Sequence, residues 1–164
     1  MGIAFYFIGF LILQRLVELA LSNRNAKRLL AKGAKEFSPG HYPLIVGVHI
    51  LWIIAIAAFG WNNEINYWWL AAYGVLQAFR MWILGSLGER WTTRIIILNE
   101  PLVRKGLYKY VEHPNYILVG AEIIIAPMVL GLWWVAILFT ILNTIVLGVR
   151  VEAENKALAT ITKN

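Results

Sequence analysis

A histidine-proline pair opens the stretch of the chain with the clearest chemical character, His113-Pro114-Asn115-Tyr116. Proline fixes its own φ and biases the preceding residue away from helical geometry, so His113 is predicted to form a turn. Asn115 and Tyr116 then fall in the first turn of a helix, whose free N–H groups attract carboxylates and phosphates. The pattern indicates a binding turn, although in isolation it also fits a simple helix start.

Charged side chains within otherwise apolar runs are a second candidate group. Arg15 and Glu18 are three residues apart, so they share a helical face and can pair. Arg80 and Glu122 lie in later apolar runs. Two interpretations stay open: the charges form structural pairs that reach the interface, or the arginines hold a substrate anion and the acids belong to a polar pocket.

Two histidines lie in the second apolar run or at its start. His49 lies inside the run, where a packing role is the favoured interpretation. His41 follows Ser38-Pro39-Gly40 at its start and is a candidate substrate contact or an interfacial turn residue.

Apolar helices must position these residues. A helix that crosses a bilayer needs ~20 mostly apolar residues, and the chain has several runs near that length. Pro127 and Gly131 interrupt the last apolar stretch and predict a hairpin of two shorter spans. We therefore predict an all-α, polytopic transmembrane bundle of one domain with about five spans, at residues 2–21, 42–60, 66–86, 115–130 and 132–150, and a C-terminal helix after the last span.

Basic residues are unevenly distributed among the connecting segments. Lys and Arg are concentrated in residues 24–39, in residues 89–113 and in the tail after residue 149. Short cytoplasmic loops carry excess Lys and Arg, so these segments are predicted to be cytoplasmic and the N-terminus to be outside. Tryptophans typical of a membrane interface lie at the opposite ends of the spans: Trp61, Trp68, Trp69, Trp133 and Trp134.

Composition narrows the functional classes. Of the 164 residues, 60% are hydrophobic and the net charge is +6, with a mean hydropathy of +0.64. Basic residues beside apolar runs favour anionic lipid over nucleic acid as the partner. The chain has no cysteine, which excludes disulfides, thiolate metal sites and a cysteine nucleophile.

Three motifs occur together in the C-terminal half: Arg104-Lys105-Gly106-Leu107-Tyr108, His113-Pro114-Asn115-Tyr116 and Arg150-Val151-Glu152-Ala153-Glu154. In this combination the chain resembles the isoprenylcysteine carboxyl methyltransferase family and related integral-membrane methyltransferases. The resemblance implies that residues 88–120 and 150–158 enclose S-adenosylmethionine. It implies cofactor contacts at His113, Tyr116 and Glu154, with Tyr108 and Asn115 nearby, converging on one cavity beside an apolar groove.

Three positions depart from the family pattern. Glu112 stands where the family has arginine, Leu118 where it has the motif glycine, and Asn155 where it has a second glutamate. The first departure reverses a charge beside the predicted cofactor turn. Prenylcysteine itself is therefore not assigned as the substrate.

Methyl transfer from a sulfonium requires positioning and a dry site, not a metal. The cationic donor is expected to lie near Glu152 or Glu154 and the π faces of aromatic residues. These aromatic residues are Tyr108, Tyr116 and Trp91.

The ionisation state of the acceptor oxygen determines which protein group must lie beside it. A carboxylate is ionised at pH 7 and needs a cation, for which Arg94, Arg15 and Arg80 are the candidates. A phenol or enol needs a proton acceptor, for which His41, Glu18 and Glu89 are the candidates. Glu18, His41, Trp91 and Glu122 complete the predicted substrate contacts.

Rival functions stay open at this point. A membrane sterol-type reductase shares a similar His-Pro-Asn-Tyr turn but uses NADPH, and a phospholipid N-methyltransferase methylates an amine. A non-catalytic scaffold or transporter is the third alternative, although no inverted repeat is visible. The expected partners are membrane lipids and a lipophilic or prenylated substrate, with the oligomeric state open.

Overall fold

The computed structural model describes residues 2–37, 40, 42–98, 106–111 and 113–161. Within these residues the chain forms five α-helices and two short strands. In chain order they are α1 (Ile3–Ala31), β1 (Lys35–Phe37), α2 (Tyr42–Gly60), α3 (Tyr67–Leu87), β2 (Ile95–Ile97), α4 (Pro114–Val129) and α5 (Trp133–Ile161).

Four of the described helices, α1, α2, α3 and α5, are long and apolar enough to cross a membrane. The fifth, α4, is an apolar helix of 16 residues. The predicted all-α, multi-span architecture is confirmed, and the chain is a multi-pass membrane protein.

Two helices extend beyond the apolar runs that predict them. Helix α1 continues to Ala31 because residues 22–31 contain neither glycine nor proline, and it ends before Gly33, whose φ is +87°. Helix α5 has 29 residues and continues to Ile161. The predicted hairpin of two short spans is therefore one short helix and one long one, joined at Gly131 with φ +69°.

A two-stranded antiparallel sheet was not expected from the sequence. β1 pairs with β2 so that Glu36 lies opposite Ile96. Ile95 of this sheet packs with Ala153 and Ala157 near the end of α5. Strands of three residues are too short to show the alternation that identifies a strand, so the sequence pattern does not reveal this pairing.

The apolar core lies mainly between α1, α2, α4 and α5. Trp52, Ile56, Ile123, Val129 and Val135 are each 0% exposed there. Large apolar side chains also cover the outside of the bundle. Such side chains are stable in contact with lipid tails, which are equally apolar. Examples are Leu13, Leu51, Met81 and Ile145.

Candidate active site

The hydroxyl group of Tyr116 links the start of α4 to α5. Arg150 Nε donates a hydrogen bond to this hydroxyl over 2.8 Å, and the hydroxyl donates to Oε2 of Glu154. The Arg150 guanidinium also lies over the Tyr116 ring, 5.3 Å from its centroid. Arg150 and Glu154 are one helical turn apart, and the tyrosine joins them in place of a simple surface ion pair.

The His113 ring belongs to the same group. It stacks on Tyr116 with the ring centroids 5.2 Å apart, and its Nδ1 is 4.0 Å from Glu154 Oε2. Pro114 is the first residue of α4, and His113 before it has a non-helical backbone with φ −128° and ψ 59°. The turn therefore directs the imidazole at the carboxylate, and His113, Tyr116 and Glu154 converge.

Tyr108 approaches this group from a short 3₁₀ turn, Gly106–Lys109. Gly106 has φ +58°, and a Cβ there would lie 2.7 Å from Ser86 Oγ, so glycine permits the close approach to α3. Burial, with a smaller contribution from the Glu154 carboxylate, raises the pKa of Tyr108 to about 12. Tyr108 is thus a neutral phenol at pH 7.

Trp91 forms one wall of the site and is only 3% exposed. Its Nε1 donates to Asn115 Oδ1 over 3.4 Å, and its carbonyl accepts from Asn25 Nδ2 over 2.9 Å. Ser22 Oγ lies 2.7 Å from Thr93 Oγ1. The part of α1 beyond residue 21 thus holds the Trp91 segment in place.

Two cavities meet at these residues. The larger has a volume of about 690 Å³ and lies over the start of α4 and the end of α5. The smaller, about 200 Å³, is mostly apolar and lies between α1, α2, α4 and α5. Both are bordered by Trp91, Asn115, Tyr116 and Arg150. The larger is also bordered by Arg94, Tyr108, His113 and Glu154, and the smaller by Ile12, Val46, Ile53, Val119 and Leu147.

The motifs place Arg150 only within the segment predicted to enclose the cofactor, whereas the structure puts it at the border of both cavities. Its side chain is buried, and no described residue accepts a hydrogen bond from its two terminal nitrogens. A buried guanidinium with free donors at the border of two cavities can hold an anion. The available signal is an arginine that ends the last apolar span, four residues before Glu154.

The intramembrane charges form a second, largely buried cluster. Glu122 is 0% exposed and accepts hydrogen bonds from Arg15 Nη2 over 2.8 Å, from Gln77 Nε2 over 3.0 Å and from Arg80. Glu18 pairs with Arg15 Nη1 at 2.8 Å and with Arg80 Nη1 at 2.9 Å. All three Arg80 nitrogens therefore face carboxylates. The cluster fastens α1, α3 and α4 together.

The location of this charged cluster tests the substrate-binding roles predicted for its residues. Arg15, Glu18 and Arg80 border the smaller cavity, whereas Glu122 does not. Because the arginines already pair with two carboxylates, their geometry favours the structural interpretation over capture of a substrate anion.

The remaining predicted site residues are dispersed. Arg94 borders the larger cavity, with Nη1 3.6 Å from Glu36 Oε1 and the guanidinium 5.0 Å from the centre of the Tyr42 ring. Glu152 points away from both cavities and pairs with Lys156 over 2.6 Å at the exposed surface. Residues two apart on a helix face different directions, so Glu154 reaches the cavity and Glu152 does not. His41 lies outside the described residues.

Two bacterial proteins are similar in sequence to this chain over most of its length. YpbQ of Bacillus subtilis is 39% identical over 157 residues, which cover 92% of this chain and 94% of the relative. A Haemophilus influenzae protein is 30% identical over 155 residues and 88% of each chain. Neither name states an activity. No solved structure gives a significant match.

A family model matches residues 69–160, which is more than half of the chain. The match includes the Tyr108 turn, the whole of α4 and most of α5, and therefore every residue at the junction of the two cavities. The chain belongs to the isoprenylcysteine carboxyl methyltransferase (ICMT) family of membrane methyltransferases.

Proposed function

We propose that this protein is an S-adenosylmethionine-dependent O-methyltransferase that acts on a lipophilic carboxylic acid or acidic enol from the bilayer. The observation that carries the proposal is the common border of the two cavities at Trp91, Asn115, Tyr116 and Arg150. A charged donor in the larger cavity and a lipophilic acceptor in the smaller one would meet at that border.

The larger cavity suits the donor. Its volume of about 690 Å³ lies within the usual ~300–1,000 Å³ of small-molecule sites. The Glu154 carboxylate and the His113 and Tyr116 rings offer an anionic and aromatic surface to an ammonium or sulfonium group. Arg94 Nε is buried without a hydrogen-bond partner among the described residues, so it can donate to the carboxylate of the donor.

Arg150 suits the acceptor. Its terminal nitrogens are free of hydrogen bonds to described residues, and its Nε is fixed by Tyr116. An acceptor oxygen that is already anionic at neutral pH would be held there without a base. Glu89, a candidate base, is exposed and paired with Arg28 and Lys32 at 2.8 Å each, away from both cavities.

The reaction then needs little from the chain beyond positioning. S-adenosylmethionine supplies a methyl group from its sulfonium, so that an O–C bond forms as the C–S bond breaks. Arg150 orients the attacking oxygen, and the buried Trp91 indole excludes water from the junction. A dry, ordered encounter of this kind can lower a barrier by ~7–11 kcal/mol.

The site is proposed to face the cytoplasm, with the N-terminus outside. The support is the basic character of the segments around the larger cavity and the exposed aromatic residues at the opposite end. Trp61 is 62% exposed, Trp68 84% and Trp133 63%.

A specific observation also supports a second candidate, an NADPH-dependent reductase. Arg90, Arg94 and Lys109 border the larger cavity beside Arg150, and such basic residues bind nucleotide phosphates. Family membership favours the methyltransferase, and ligand binding separates the two.

Calorimetric titration of the detergent-purified protein with S-adenosylmethionine, its demethylated product and NADPH tests the proposal. We expect micromolar S-adenosylmethionine binding that weakens at least tenfold in His113→Ala and Glu154→Ala, since a hydrogen bond to a charged group is worth ~1.5–3 kcal/mol. Glu152→Gln is the matched control, because this acid lies on the same helix but at the surface. Binding of NADPH alone would establish the reductase, and equal effects in all three variants would remove the site.

A further inference from the structure

The inner part of the smaller cavity contains an unsatisfied amide. Asn143 on α5 is 8% exposed and borders this cavity, and its side chain has no hydrogen-bond partner among the described residues. Thr140 and Thr144, on either side, bond their hydroxyls to carbonyls of their own helix at 2.6 and 2.7 Å. An amide buried in an apolar wall costs free energy unless something bonds to it.

His49 presents a second free group to the same cavity. Its Nδ1 lies 2.9 Å from the Ile45 carbonyl oxygen, so in the neutral ring Nδ1 carries the hydrogen and Nε2 is an acceptor. No described residue donates a hydrogen bond to Nε2. Asn143 and His49 thus offer one donor group and two acceptors.

Both residues are two helical turns away from another residue that borders the cavity. His49 is seven residues after Tyr42, and Asn143 is seven residues before Arg150, with Tyr42 and Arg150 both bordering the cavity. Seven residues of helix span about 10 Å. The unsatisfied groups are therefore about 10 Å from the end of the cavity at which Arg150 meets the larger one.

The charge balance at this depth selects a neutral ligand group. Two arginines and two glutamates of the neighbouring cluster pair with one another, so their formal charges cancel. An added ion would have no counterion, and desolvation would penalise it. A hydroxyl, which both donates and accepts, matches Asn143 and His49.

We propose that the smaller cavity binds an amphiphile with two oxygen functions: an anionic one at Arg150 and a neutral hydroxyl about 10 Å away at Asn143 and His49. The proposal rests on the proposed function for the first contact and adds the second. Asn143 is then a specificity-determining residue that distinguishes hydroxylated from plain chains.

The test is equilibrium binding of two tritiated probes to the protein in nanodiscs: dodecanoic acid and a mid-chain hydroxydodecanoic acid of matching separation. Wild type should bind the hydroxylated probe about tenfold more tightly, which corresponds to ~1.4 kcal/mol. Asn143→Leu, of similar volume, should abolish this preference. Thr144→Val, which removes an exposed hydroxyl from the same helix, should preserve it.

Thermal unfolding without probe supplies an independent readout. Asn143→Leu should leave the melting temperature unchanged or raise it, because an unsatisfied amide is removed. A clear fall would show that the amide has a structural partner and would overturn the proposal. Equal affinity of wild type for the two probes, including no measurable binding of either, would overturn it as well.

Different measurements test the proposed methyltransferase function and the proposed hydroxyl contact. S-adenosylmethionine binding is measured on the same preparations without a chain probe, and its absence counts against the methyltransferase. Absence of a hydroxyl preference in wild type counts only against the proposed contact at Asn143.

Discussion

The buried cluster and the cavity junction each combine arginine with glutamate, but they differ in how many of their polar atoms have partners among the described residues. In the buried cluster, every Arg80 nitrogen and both Glu122 oxygens have partners within the protein. At the cavity junction, Arg150 and Glu154 meet on one tyrosine hydroxyl, and the terminal nitrogens of Arg150 have no partner among the described residues. Saturated charges hold helices together, and unsaturated charges are available to ligands.

The largest expected effect comes from removing one charge from the saturated cluster. Glu122→Gln leaves Arg15 and Arg80 buried with one carboxylate between them, so we expect a loss of ~3–5 kcal/mol in the free energy of unfolding. Unfolding in mixed micelles measures it. Glu152→Gln is the control and should stay within ~0.5 kcal/mol, since Glu152 is at the surface. Similar stability of the two variants would contradict the structural role of the cluster.

A smaller effect, on binding and not on folding, is expected at the junction. Arg150→Met removes the free guanidinium, so the affinity for dodecanoic acid should fall ~10- to 100-fold, as expected for a hydrogen bond to a charged group. The free energy of unfolding should change by less than ~1.5 kcal/mol. Arg24→Met, at an exposed position of α1, is the control for the change in net charge. If Arg150→Met lowered the free energy of unfolding as much as Glu122→Gln, Arg150 would be a structural residue like those of the buried cluster, and the prediction would be contradicted.

The smallest effect concerns pH. Burial and Glu154 raise the pKa of Tyr108 from 10.0 to about 12, so the folded protein retains this proton more tightly than the unfolded chain does. The resulting stability is present below pH 10 and is lost as pH rises from 10 to 12. Tyr108→Phe should therefore flatten the fall in melting temperature over that window and leave it unchanged at pH 7. Absorbance titration of the phenolate checks the pKa, and a midpoint near 10 would contradict it.

The sequence predicts the helices well because membrane spans are encoded in long apolar runs. It predicts the His113 turn through Pro114, because the backbone restriction that proline imposes is local. It misses the extension of α1, because the polar residues 22–31 carry no hydrophobic signal and their contacts with the Trp91 segment are tertiary.

The site itself is only partly readable from sequence. Proximity of His113, Tyr116 and Glu154 is expected from the motifs, but their role in cofactor binding remains a prediction. Arg15, Arg80 and Arg150 are all arginines near apolar runs, and the pattern alone does not show which of them is satisfied. The carboxylates that neutralise Arg80 come from α1 and α4, 62 residues before it and 42 residues after it. Only the three-dimensional arrangement separates them.

The small sheet and the α1 extension have a consequence for how the protein is made. Phe37 of β1 packs against Ala153 and Ala157 of α5, which are synthesised more than 100 residues later. A ribosome that stalls within α4 would leave several inserted helices but no ligand cavity, because Arg150 and Glu154 would be missing. The common border of the two cavities is therefore complete only after Arg150 of α5 has been synthesised.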